Sequence, residues 1–130
     1  MLEALADRLQ SASVANTGVN LFIGLMPDKP DVCVALYEYA GAPPLEVMQD
    51  NAATLERPSV QVIVRASRND YPTARNLISN IRNTLTEITD ETISGVTFLR
   101  INQNSSINAV GTDDNDRVMF TLSLTAVVER

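Results

Sequence analysis

Apolar positions recur along this chain with two different periods, and the switching between them predicts its elements. Near the start, Leu2, Leu5, Ala6, Leu9 and Ala12 fall at three- and four-residue spacing, which marks one face of a helix. The pattern predicts a helix from Leu2 to about Val14. Asn16, Thr17 and Gly18 end it, Gly18 being suited to the left-handed position past a helix end. A short strand is predicted from Val19 to Gly24, then a turn at MPDKP, Met26 to Pro30. In DVCVALYEYAG, Asp31 to Gly41, residues Val32, Val34 and Leu36 face one way while Cys33, Ala35, Tyr37 and Tyr39 face the other. Both faces are largely apolar, as in a central strand or one that meets a partner. Gly41 to Asn51, with Pro43 and Pro44, has no regular pattern and reads as a loop.

Strict alternation returns in LERPSVQVIVRA, Leu55 to Ala66. Val60, Val62 and Val64 share one face; Gln61, Ile63 and Arg65 share the other. Pro58 is expected to stand where the strand begins, a position that loses no ladder hydrogen bond. A second helix is predicted from about Tyr71 to Ile88, with Ala74, Leu77, Ile78, Ile81, Leu85 and Ile88 as its apolar stripe. Asp70 is placed to cap it, and Pro72 fits its first turn. Thr92 to Asn102 is predicted as a strand with a kink or bulge at Gly95. Gln103 to Asp116 is polar, with Ile107, Ala109 and Val110 as a candidate short strand. From Arg117 to Arg130 the alternation is nearly unbroken: Val118, Phe120, Leu122, Leu124, Ala126 and Val128 on one face, Met119, Thr121, Ser123, Thr125 and Val127 on the other. Helix, three strands, helix, then two or three strands gives an α+β fold. The expectation is a two-layer sandwich, a mixed, largely antiparallel β-sheet packed against two helices. Its 130 residues fit one domain, 1–130.

Charge narrows the function classes. The net charge of −6 argues against a dedicated DNA-binding module, because such affinity rests on Lys and Arg meeting phosphates. It is compatible with a wall that DNA slides past, since like charge repels the backbone. There is no histidine and Lys29 is the sole lysine, so Ser-His-Asp and Cys-His sites cannot be built. Cys33 is the single cysteine; it suits a reducing compartment and reads as a small buried hydrophobe. No apolar run reaches the roughly 18 residues that span a membrane, and no secretory signal or membrane partner is expected.

The candidate chemistry is sparse. GTDDNDR, Gly111 to Arg117, offers the oxygens of Asp113, Asn115 and Asp116, but the sixth and twelfth places of a hand-type calcium loop counted from Asp113 hold Val118 and Leu124. A hydrated turn between strands is the plainer reading. Asp28 and Asp31 flank Lys29 and Pro30 in another exposed turn. Arg65, Arg68, Arg75 and Arg82 are the densest positive cluster. They read as a thin nucleic-acid patch, a solvated helix face, or half of a protein interface, where Arg is enriched. No Gly-rich phosphate loop is present. No catalytic, metal or cofactor residue is assigned, and no enzyme is expected.

Four stretches taken together resemble a known family: DVCVALYEYAGAPP, LERPSVQVIVRA, NDYPTARNLISNIRNTL and GTDDNDRVMFTLSLTAVVER, in that order from about Met26 to Arg130. The chain is similar to the tail-terminator proteins of long-tailed bacteriophages, often labelled minor capsid or tail completion proteins. One departure stands out. The family's last turn often reads Asp-Glu-Asn-Gly-Arg, whereas Asp116 stands here where Gly is usual, which puts the turn type in question.

The resemblance implies a structural role in the virion, at the neck of the tail, with assembly in the host cytoplasm. Such proteins form a homo-hexameric ring on the head-proximal end of the tail tube. The ring stops tube polymerisation and offers the surface that a head-completion or connector protein joins, and DNA passes through its centre without sequence-specific binding. On this reading Glu56, Arg57, Arg65, Arg75, Arg82, Arg117, Val127 and Arg130 are candidate contacts with neighbouring subunits or partners. Asp113, Asp114 and Asp116 are candidates for the channel or the joining face. The long final strand is expected to pair with, or pack on, an adjacent subunit at one end, because a lone copy would leave part of it as a sticky edge; the alternative is a long, bent strand paired wholly within its own sheet. The alternative is a small non-viral α+β binding module using the Arg75 and Arg82 face or the Tyr37 and Tyr39 strand. A carboxylate-based hydrolase is a third and weaker reading. A ring, a monomer or dimer, and a deep pocket with converging carboxylates are their respective signatures.

Overall fold

The computed structural model describes residues 1–46 and 54–129, and side chains outside 40–46 and 54. The elements are α1 Leu2–Ser11, β1 Leu21–Ile23, β2 Cys33–Glu46, β3 Thr54–Arg68, α2 Tyr71–Thr86, β4 Thr89–Ile93, β5 Val96–Gln103, β6 Asn108–Thr112 and β7 Arg117–Glu129. The strands form one sheet in the order β1-β2-β3-β7-β5-β4, with β6 also on β7. Among the described strand pairs only β1–β2 is parallel. Both helices pack on one face, so the two-layer α+β architecture read from the periodicity is the one observed.

Alternation along β3 and β7 explains where the core sits. Val60, Val62, Val64 and Ala66 of β3 and Phe120, Leu122, Leu124, Ala126 and Val128 of β7 turn inward and are buried. From the helices, Leu2, Leu5 and Leu9 of α1 and Ala74, Ile78, Ile81 and Leu85 of α2 close over them. Tyr71 at the head of α2 meets Phe120 edge-on, ring centroids 5.1 Å apart. Pro72 lies in the first turn of α2, but the Asp70 side chain makes no capping hydrogen bond.

Several boundaries differ from the sequence reading, each for a local reason. Helix α1 stops at Ser11, short of Val14, because Ser13 turns left-handed at φ 59° and the amides of Ser13 and Val14 close back on Gln10 and Leu9. β2 continues through the stretch read as a loop as far as Glu46. It admits Pro43 and Pro44 because its pairing with β3 slips between Tyr39 and Ala42 and again between Ala42 and Leu45, and irregular or edge positions tolerate proline. The rest of that predicted loop, like Arg130, lies outside the described residues. The single strand expected over Thr92 to Asn102 is a hairpin, β4 and β5, with Ile93 opposite Val96. Ser94 and Gly95 both have positive φ, 49° and 82°, which is the two-residue primed turn that matches strand twist.

The final strand is paired as its alternative reading has it. β7 pairs with β3 along one flank, and with β5 and β6 along the other. Its ladder is satisfied within its own sheet, so it offers no open edge to a neighbouring subunit.

Candidate functional site

Two arginines on the sheet face opposite the helices form the most elaborate polar assembly in the described residues. Alternation puts Arg65 of β3 and Arg117 of β7 on that outer face, where Cys33, Arg65 and Met119 are cross-strand neighbours and Arg68 pairs with Arg117. Both are buried, Arg65 to 4% and Arg117 to 6% exposure, because the turn between β1 and β2 lies over them. Arg65 donates from Nε to the Asp31 carbonyl at 3.1 Å, and from Nη2 to the carbonyls of Pro27 at 2.7 Å, Asp28 at 3.2 Å and Pro30 at 2.7 Å. A flat guanidinium with a fixed fork of donors suits such a cage of carbonyls.

Arg117 holds the same turn from beside it. Its Nη1 donates to the Asp28 carbonyl, its Nη2 to the Asp28 carboxylate at 3.0 Å, and its Nε to Asp113 at 2.8 Å; Asp31 is 3.3 Å from Nη1. Asp28 and Asp31, read from sequence as a loose carboxylate pair, are thus brought together by one guanidinium. Hydrogen bonds to Asp113, Asp28 and Asp31 outweigh burial and hold Arg117 above its ordinary pKa.

Asp113 organises the β6–β7 turn. Its carboxylate accepts from the amides of Asn115 at 2.9 Å and Arg117 at 3.0 Å, besides the Arg117 side chain. Burial works to raise its pKa, but those backbone and guanidinium hydrogen bonds win and hold it below the usual carboxylate range. Asp31 is also lowered, chiefly by its hydrogen bond from Lys29, against desolvation and with help from Arg117. Cys33, beneath this cluster, is buried, and burial pushes its thiol up despite the nearby positive charge of Arg65 and Arg117. Asp116 sits at φ 59°. It adopts the left-handed conformation that glycine takes without strain.

These positions give two of the residues a role within the chain. Arg65 and Arg117 are turned inward and bind the turn between β1 and β2. Their signal was absent from local pattern: alternation places them on the outer face, and only the returning turn, more than 30 positions away for Arg65, buries them. Val127 is also buried, at 7% exposure. The other candidates are placed differently. Glu56 and Arg57 are half-buried in β3. Arg75 reaches the Ser79 hydroxyl along α2, and Arg82 reaches Asn83 Oδ1 at 3.1 Å. Asp114 and Asp116 are exposed beside the organised turn, with Asp116 3.5 Å from Arg68. No described helix is long and apolar enough to cross a membrane.

Buried charges thus hold the shape of the turn between β1 and β2 and of the β6–β7 turn. The bacteriophage tail terminator protein family matches residues 8–130, and the chain belongs to that family. It is a non-enzymatic, tail-associated structural component of the virion. A chain from the "Virion of native gene transfer agent (GTA) particle" superposes with a TM-score of 0.67 at 15% identity, over 100% of this chain and 95% of that one; at that identity the likeness is one of fold. Among curated proteins, none matches in sequence.

Proposed function

We propose that this chain caps the head-proximal end of the tail tube as a homo-hexameric ring. The ring stops polymerisation of the tail tube protein and presents the face to which a head-completion or connector protein binds. DNA crosses its central channel without sequence-specific contact. The observation that carries this reading is the family match over residues 8–130; the virion origin of the structurally similar chain supports it. The protein then acts at the neck, after assembly in the host cytoplasm, as a single domain over 1–130.

Within the ring, Glu56, Arg57, Arg65, Arg75, Arg82, Arg117, Val127 and Arg130 are proposed contacts with neighbouring subunits or partners. Asp114 and Asp116, on the turn that Asp113 shapes, are proposed for the channel or joining face, where carboxylates repel DNA or meet a basic partner.

The test is to add the purified chain to polymerising tail tube protein and measure tube lengths by electron microscopy. Arrested tubes with a six-fold density at one end are expected. Tubes that lengthen as they do without the chain would defeat the proposal. Charge reversal at Arg57 should weaken ring formation, read as sedimenting mass; full rings would remove Arg57 from the interface.

A further inference from the structure

Sheet edges need an explanation in a protein of this kind, because an unpaired row of amides and carbonyls is a template for another strand. Four flanks of the sheet have no strand beyond them among the described residues. The outer flank of β1 is occupied at Leu21 by a bridge from Thr17. β4 carries Asp90 and Glu91, and Asp90 breaks the extended backbone at φ 49°. Those two edges are covered or defended.

The other two are less fully defended: Glu38 is the one charge on the open part of β2, and β6 bulges at Val110 with Gly111 at φ 97°. β6 is exposed at every residue, and from Asn104 to Thr112 the chain holds no charge and no proline. β2 is paired on its β1 side only at Val34, Ala35 and Leu36. From Tyr37 through Tyr39 that flank is open among the described residues, well before the two prolines. Tyr39 is 43% exposed and Val110 53% exposed, and an aromatic at such a seam is typical of contact surfaces.

The two edges suit one another. β2 runs antiparallel to β3, β3 to β7 and β7 to β6, so β6 runs opposite to β2. A second copy set beside the first in the same orientation would therefore bring β6 against β2 as an antiparallel pair. Their heights differ: Asn108 lies level with Thr121, Ile63 and Ala35, and the open stretch begins two residues farther along β2, at Tyr37. Pairing thus requires each copy to step along the strand direction relative to the last. A stagger of that kind is what closure of a sheet with tilted strands demands, and a head-to-tail contact whose rotation closes makes a ring.

We infer that β6 of one copy pairs with the Tyr37–Tyr39 stretch of β2 in a second copy, so that neighbouring subunits share one continuous antiparallel sheet. The inference rests on the ring reading above and specifies its contact.

The experiment follows wild-type protein and the Val110→Lys variant by sedimentation over a concentration series, with amide hydrogen exchange on dilute and assembled wild type. A lysine on the seam should raise the midpoint concentration for assembly by roughly tenfold or more. The thermal midpoint, measured at dilutions where both proteins are monomeric, should be unchanged. The amide of Glu38, and those of residues 108–112 that face away from β7, should exchange more slowly in the assembled wild type. Rings that form with those amides as open as in the monomer, or Val110→Lys assembling like wild type, would overturn the strand pairing and leave the ring intact. Wild type that forms no oligomer at any concentration would overturn the ring reading and the pairing with it.

Discussion

Replacing Arg65 by Leu removes the donors that hold the turn between β1 and β2. Four backbone carbonyls, those of Pro27, Asp28, Pro30 and Asp31, accept from this one side chain. Three of them share Nη2, which has only two hydrogens, so about three full hydrogen bonds are at stake. Each bond from a charged donor contributes about 1–1.5 kcal/mol net at the modest end of the range, and the turn can rehydrate some carbonyls once released. The expected loss is about 3 kcal/mol, or about 10 °C in thermal midpoint for a domain of this size. The assay is urea and thermal unfolding followed by circular dichroism, since the chain has no tryptophan. Arg65→Lys should recover little, because an ammonium cannot span a cage built for a planar fork. Arg68→Ala is the control: its side chain is 71% exposed and 3.5 Å from Asp116, and a surface pair of this kind contributes under about 1 kcal/mol. If Arg65→Leu lost no more than Arg68→Ala, the clamp would not be a stabilising device and the argument from burial would fail.

Asp113 and Asp31 titrate below the usual carboxylate range in the folded chain. Their contribution is therefore complete above the unfolded value of about 4 and is lost as pH falls through the lowered folded values. Unfolding free energy traced by urea melts should be flat in this respect from pH 7 to about 5 and decline below about 4, and Asp113→Asn should flatten that decline; an unaltered acid limb would count against the assignment. Asp116→Gly should be neutral or slightly stabilising, and Asp116→Val should cost about 1–2 kcal/mol, because a β-branched residue resists the left-handed conformation. Equal stability of the two would show that the turn relaxes. Ile78→Ala, at a position with 0% exposure, should cost about 2–5 kcal/mol by leaving a cavity, read from the same melts.

Periodicity made α2, β3 and β7 legible, because each repeats a buried face over many residues and no local feature interrupts it. It was less informative where the backbone does something special. Ser94-Gly95 was a readable hairpin signal between alternating segments, but treating Gly95 alone as a kink joined two strands into one. Pro43 and Pro44 argued for a loop, yet slipped register let β2 run through them. Arg65 and Arg117 show the deeper limit. Their sequence neighbours place them on a face and say nothing of what covers it, since the covering turn comes from elsewhere in the chain.

The position of β7 in chain order has a consequence for synthesis. Its partners β3, β5 and β6 all precede it, and Leu55 waits for Glu129 to find its opposite residue. Before β7 emerges from the ribosome, β1, β2 and β3 can join one another, and β4 can join β5, but no strand pairing connects the two groups. Long-range pairing of this kind slows folding. It also makes the subunit all-or-none: a nascent chain interrupted before Arg117 presents two fragments of sheet with no ladder between them and no finished part that could enter a growing tail.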